Sequence, residues 1–337
     1  MARRRKKNRR PRDPIEPKEG CFHRPPAASV RPAVLASCLA AFFFALNATC
    51  ASRSIQAFGS VRANLGRLAV AAVLLGLFAH TVGHGFASAS TGWFLLSGVI
   101  GMGLGDLGVY GALPLLGSRL TVLMTQCLAA PIAALGEWLW LGTRLTAAQV
   151  LWGTVILGGV VLALMPSKAS PPRVRVRPVG FLFGLLAAAG QGFGALVSRK
   201  GVEAATAAGE AAHNATFGVN AAYHRIIAGL VFTATWFLVL RLIGRLPARA
   251  TAAAAPAARR RARLWLLANG LAGPVLGVGC YQWALATTPS GIVLPIAATT
   301  PLLAIPITYF LEGERPSKRS LAGGVVAVAG AVALTLV

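Results

Sequence analysis

The sequence predicts an all-α membrane protein: ten transmembrane helices arranged as two inverted five-helix repeats. Three observations carry this. Of 337 residues, 55% are hydrophobic and only 12% charged, with a mean hydropathy of +0.65, which suits a bilayer better than water. Apolar runs of about twenty residues, the length that crosses hydrocarbon as helix, recur along the chain. The last third of the chain also repeats its first half.

The runs fall at 33–51, 66–84, 93–112, 119–140 and 147–165, then at 179–198, 221–241, 264–286, 290–311 and 319–337. The second is the weakest, with Arg67 near its start and His80 and His84 near its end. The division that follows is a basic tail over 1–32, a first unit over 33–165, a basic linker over 166–178 and a second unit over 179–337. The chain ends at Val337, in or at the edge of the last run, so no folded C-terminal domain is expected.

The clearest repeat closes each unit. P-I-A-A-L-G-E-W-L-W-L-G-T-R-L-T starts at Pro131 and is followed by Gly153 and Gly158-Gly159. P-L-L-A-I-P-I-T-Y-F-L-E-G-E-R-P-S starts at Pro301 and is followed by Gly323-Gly324 and Gly330, an offset of 170 at the proline and 171 at the arginine. The match extends upstream. C-L-A-A-F-F-F-A-L-N-A-T-C-A-S-R (38–53) aligns with G-L-L-A-A-A-G-Q-G-F-G-A-L-V-S-R (184–199), and 63–72 aligns with 221–230, placing Arg67 on Arg225. An odd number of spans per unit makes the two units enter the membrane in opposite directions, around a pseudo-two-fold axis in its plane. Two hydrophobic halves on one plan are the signature of a secondary transporter with its site at the repeat interface.

The net charge of +24 is concentrated in the tail M-A-R-R-R-K-K-N-R-R-P-R, in Lys168–Arg177 and in Arg241–Arg263. Such runs can neutralise nucleic-acid phosphates. Beside apolar spans they are better read as gripping anionic lipid headgroups, so no nucleic-acid partner is expected. Orientation is contested within the sequence. With the N-terminus cytoplasmic, the tail and even-numbered loops put 15 Lys/Arg inside against 18 outside, yet the tail's 11 form the densest block and favour a cytoplasmic N-terminus. The tail also mimics the basic region of a signal peptide, but 32 residues precede the first run and no convincing cleavage site follows it. The five cysteines have no disulfide or zinc spacing and read as small apolar packers.

These residues resemble the EamA-type members of the drug/metabolite transporter superfamily, whose two five-helix repeats each close on P…L-G-E-R-L-T…G…GG. The first copy here departs to L-G-T-R-L-T with Thr143 in place of Glu, and the second keeps Glu314 with an extra residue. The resemblance covers about 33 to 337 and leaves the tail outside. It implies a multi-pass protein of a bacterial inner membrane with a cytoplasmic N-terminus. It also implies a cavity surrounded by helices one, three, six and eight, and almost nothing about the substrate.

Of nine acidic residues, Asp106 and Glu137 alone fall within predicted spans. A carboxylate near the bilayer centre costs about 2.5–3.5 kcal/mol even on the lenient insertion scale, so it is tolerated in a cavity, beside a partner or as a proton carrier. Asp106 is therefore a candidate for proton or ion coupling. Tyr110 lies at i+4 on the same face, and the repeat offset of 170 puts Leu276 at the corresponding position. A structural Asp bonded to a glycine-loosened helix is the competing reading. Glu137 is a second coupling candidate, although its nearness to Trp138 and Trp140 favours a solvated interfacial glutamate.

Gly103-Leu-Gly105-Asp-Leu-Gly108 satisfies the dinucleotide pattern G-x-G-x-x-G but lies within an apolar span with no strand before it, so no cofactor is expected. Ser97, Gly101 and Gly105 form instead a small-residue stripe that lets two membrane helices approach closely. Asn47, Gln126, Gln191, Tyr281 and Gln282 are polar residues inside spans; helix–helix glue is their default reading. The functional alternative puts Asn47, Tyr110, Gln191, Tyr281 and Gln282 around a substrate. Pro131 and Pro301 are repeat mates and candidate hinges. Arg67 and Arg225, mates at the starts of runs two and seven, are expected to snorkel to headgroups, with a gate ion pair as the alternative. His80 and His84 have helical metal-pair spacing but no third ligand nearby, so no metal is expected. No hydrolase, P-loop or haem motif supports an enzyme.

The expected function is export of a small organic solute by alternating access, coupled to protons or running down a gradient, with proton or cation coupling assigned to Asp106. A carrier of lipid-linked substrates, or a non-transporting scaffold using the basic tail, are the alternatives.

Overall fold

A computed structural model describes residues 30–165, 176–246, 256–312, 317–334 and 336. The basic tail up to residue 29, most of the basic linker (166–175) and Glu314 with Arg315 lie outside the described residues. Among the described residues there is helix and no strand. The first half comprises α1 (Val30–Phe58), α2 (Ser60–Thr81), α3 (Thr91–Gly98), a wide π turn (Val99–Gly105), α4 (Asp106–Leu141) and α5 (Ala147–Leu164). The second comprises α6 (Val179–Ala207), α7 (Ala215–Leu242), α8 (Pro256–Gly270), a π turn (Leu271–Gly277), α9 (Val278–Thr287), α10 (Ser290–Ala297), α11 (Thr300–Glu312) and α12 (Lys318–Leu334). Among the described residues eight stretches are long and apolar enough to cross a membrane, and Ser290–Ala304 is a shorter apolar one.

Helix ends follow local chemistry. Gly142 ends α4 with φ 68, a left-handed position open to glycine. Thr146 and Gln149 close a capping box on α5, and Asn214 accepts from Phe217 N at the start of α7. Several helices start earlier than the apolar runs. The polar segment Ser60–Gly66 belongs to α2, and Ala215–Asn220 belongs to α7.

Contacts along α6 locate the chain reversal between the third and fourth runs. Gly201 meets Phe94, Gly194 meets Gly101 and Gly180 meets Leu116, an antiparallel order. Gly184 meets Met124 and Gly192 meets Ile132, a parallel order. The stretch Thr91–Leu141 therefore folds back on itself within the range of α4, between 116 and 124, and Trp93 packs edge-on against Trp140 at the open end of the two arms.

The helix pairings come in mates. α1 packs on α8, the second π turn and α9, as α6 packs on α3 and the first π turn. α2 packs on α7 and α5 on α12. The π turns are mates too: Gly98, Gly101 and Gly105 correspond to Gly270, Gly273 and Gly277, 172 residues on. Gly105 lies against Gly190 and Gly277 against Phe44, while Gly101 lies against Gly194 and Gly273 against Asn47. This corrects the mate of Asp106 from Leu276 to Val278. The offset is 172 at the π turns and falls to 170 at the closing prolines, so the connection between them is two residues shorter in the second unit.

The small-residue stripe packs as expected: Ser97 Oγ donates to Gly194 O at 2.5 Å, and Gly101 and Gly105 sit on α6. The α5–α12 crossing rests on Gly159 and Gly323. A Cβ on Gly323 would lie 2.5 Å from Gly159 O and 2.6 Å from Ala163 N, both unyielding backbone atoms. Neighbouring Gly158 and Gly324 face open space. Gly323→Val is expected to cost about 1–3 kcal/mol through overpacking, and Gly324→Val almost none. Melting of the two detergent-purified variants checks this.

Candidate functional site

A cavity of about 510 Å³ lies between the two halves, with walls from α1, α2, the π turns, α4, α6, α7, α9 and α11. Asn47, Asp106, Gln191 and Tyr281, four residues singled out from the sequence, line it, as do Arg67, Arg225, Gln126 and Pro301. Both π turns end at this wall, in Asp106 and in Val278. A wide turn re-aims the side chains after it, and such turns recur at functional sites. In the second turn Pro274 has no N–H to give to the helix, which loosens it locally.

A larger groove of about 670 Å³ runs between α4, α5 and α10, but its lining is mostly apolar and open at the periphery. Pro131 faces that outer groove whereas Pro301 faces the central cavity, so the two mates occupy different surroundings.

Arg67 and Arg225 do not snorkel. Arg67 lies two turns inside α2, donates from Nη2 to Asp106 Oδ2 at 3.0 Å and from Nε to Asn64 Oδ1 at 2.7 Å. Arg225 is deep in α7 and only 3% exposed. Its Nη1 donates to Gln282 Oε1 at 2.6 Å and to Ser198 Oγ at 3.2 Å, and its guanidinium lies 5.9 Å from the Tyr281 ring centre. Its Nε has no partner. Gln282 is fully buried and sits behind Arg225 rather than on the cavity wall; its Nε2 also donates to Ser198 Oγ at 3.1 Å. Tyr110 lies on α4, with its side chain outside the described residues.

Glu137 is not the solvated interfacial residue its tryptophan neighbours suggest. It is 2% exposed and accepts from Arg199 Nε at 2.8 Å and from Ser290 N and Oγ at 2.8 and 2.5 Å. Arg199 Nη1 also donates to Leu285 O at 2.6 Å. This cluster ties α4, α6, α9 and the start of α10 together at one end of the bundle. Toward the other end the cavity lining reaches Ala163, Leu164 and Ser320. Sequence reasoning missed Arg199, Ser198 and Ser290. The signal for the first two was the S-R pair at 198–199 aligned on Ser52-Arg53. Among the described residues no group of three His, Cys, Asp or Glu is placed to hold a metal; His80 Nε2 lies 3.2 Å from Tyr223 Oη instead.

Paired helix packing around an interior cavity that carries an ion pair on an otherwise largely apolar wall suits a multi-pass membrane protein. The EamA-like transporter family model matches residues 31–165 and again 178–336, and the chain belongs to that family. It is thus a membrane transporter of the drug/metabolite type. No curated protein matches the sequence. Twenty-eight chains of solved structures match its fold; one, a crystal structure, is 18% identical, with a TM-score of 0.65 over 90% of this chain and 96% of its own. That is a likeness of fold.

Removing one partner of a buried ion pair leaves a stranded charge and costs about 3–5 kcal/mol. Glu137→Ala is expected to fall near that range, and Glu137→Leu combined with Arg199→Met to regain most of it. Thermal unfolding of both variants beside the parent gives the comparison.

Proposed function

We propose that this chain exports a small organic solute across a bacterial inner membrane by alternating access, using ten spans in two inverted five-helix units with the N-terminus cytoplasmic. The observation that carries the reading is the central cavity at the repeat interface with an ion pair on its wall, beyond which the Glu137–Arg199–Ser290 cluster ties the helices together. A site of this kind serves both sides in turn when the two units rock about it.

Asp106 is the coupling group in this proposal. Ionised, it holds Arg67, and so ties α2 to the end of the first π turn. A proton on Asp106 removes that Coulomb attraction and lets the helices separate. Glu137, whose oxygens are all occupied by donors, serves as a latch between those helices rather than as a coupling group. Asn47, Gln191 and Tyr281 supply the polar part of the solute's surroundings, and Pro301 lies where α11 borders the cavity.

The test is resistance of a bacterial host overexpressing the protein, scored against toxic amino-acid, nucleobase and cationic-drug analogues at matched membrane levels. The parent chain is expected to protect against at least one class, more strongly at one external pH than another. Asp106→Asn is expected to insert normally and lose that pH dependence, and adding Arg67→Gln to restore stability but not coupling. Unchanged pH-dependent protection in Asp106→Asn rejects the coupling role, and no protection by the well-inserted parent rejects small-solute export.

A further inference from the structure

We infer that Arg225 anchors a carboxylate, so that the solute of this cavity is a small organic acid carrying one negative charge. The inference rests on the reading of the central cavity as the solute site and names the chemistry that fills it.

The argument starts from an asymmetry between mates. Arg67 in α2 is matched by Arg225 in α7, and Asp106 at the end of the first π turn is matched by Val278 at the end of the second. The first unit thus supplies its arginine with a carboxylate 3.0 Å away. The second places an apolar side chain on the cavity wall where its counter-ion would stand. Arg225 makes hydrogen bonds to two neutral oxygens, from Gln282 and Ser198, and among the described residues it makes no ion pair.

A guanidinium buried to 3% exposure keeps its proton, and no carboxylate touches it: Asp106 attracts it only through space, so its desolvation is compensated only in part. The Tyr281 ring at 5.9 Å offers the negative face of its quadrupole, a weaker substitute for a full charge. Among the described residues the charged side chains lining the cavity are Arg67, Arg225 and Asp106, which leaves one positive charge in excess while Asp106 is ionised. A monoanion neutralises the cavity; a dianion or a cation does not. Within that class the planar fork of Arg225 matches a carboxylate, and its Nε is a donor with nothing to bond. Asn47 Oδ1 is likewise buried without a partner, packed against Gly273 beside the same wall. A volume of about 510 Å³ suits a small solute.

The test uses the full-length protein in detergent, melted with millimolar lactate, 2-oxobutyrate and phenylacetate, with the primary amide of each, with matched amines and with a phosphate monoester. At least one carboxylate is expected to raise the melting temperature while its amide does not. Two variants remove the binding differently. Arg225→Gln deletes the cation, and Gln282→Glu keeps the side-chain shape while giving Arg225 an internal counter-ion. Each is expected to weaken the carboxylate response at least about tenfold, the loss of one charge-assisted hydrogen bond. Val278→Asp, which restores the symmetric pair, is expected to act like Gln282→Glu and covers the case where either of the others fails to fold. The assignment is overturned if amides or amines stabilise and no carboxylate does, if the phosphate monoester alone responds, or if the carboxylate response survives in the folded variants. Counterflow in proteoliposomes separates this from the transport reading. Carboxylate binding without flux of any probe removes transport and keeps the anchor; flux of uncharged or cationic probes without carboxylate binding does the reverse.

Discussion

In hydrocarbon there is no water to receive a polar group, so each one carried into the bilayer needs its partner within the protein. The interior of this chain is organised around that constraint. Arg67 meets Asp106, Glu137 meets Arg199 and Ser290, and Arg225 meets Gln282 and Ser198. Each set joins different helices, so satisfying the charges also fixes how the bundle is tied. Because a broken buried pair costs more than a formed pair gains, these links act mainly against wrong arrangements.

Such contacts require backbones close together, and glycine provides the approach. Gly190 of α6 against Gly105, and Gly159 against Gly323, have neighbouring backbone where a Cβ would stand. Dispersion and packing hold membrane helices together where no hydrophobic drive exists, so these bare surfaces are adhesive as well as permissive. Close approach on α6 also brings Ser97 to Ser198 at 2.8 Å and sets Ser198 under Arg225.

The fold is nearly symmetric and its chemistry is not. Helix pairings, π turns and glycine spacings recur between the units, whereas Asp106 faces Val278 across the repeat and Pro131 and Pro301 look into different spaces. Symmetry suits a carrier that must present one cavity to both sides. Asymmetric side chains give that cavity its ion pair and leave Arg225 bonded to neutral oxygens.

By itself the sequence determined the helical membrane class, the position of most spans, the internal repeat and the short roster of polar residues from which a site can be built. These are local or periodic properties, because hydropathy sums over about twenty neighbouring residues and a repeat is visible in the letters. Arg67 and Arg225 were misplaced for a related reason. Hydropathy ends a span at its last apolar residue, whereas α2 and α7 continue through polar turns that other helices cover. The tertiary structure alone decided which polar groups meet. Arg67 and Asp106 are 39 residues apart, Arg199 and Glu137 62, and Glu137 and Ser290 153. Such pairings depend on how each helix is rotated and crossed against its neighbours, and packing sets that rotation where hydropathy is silent.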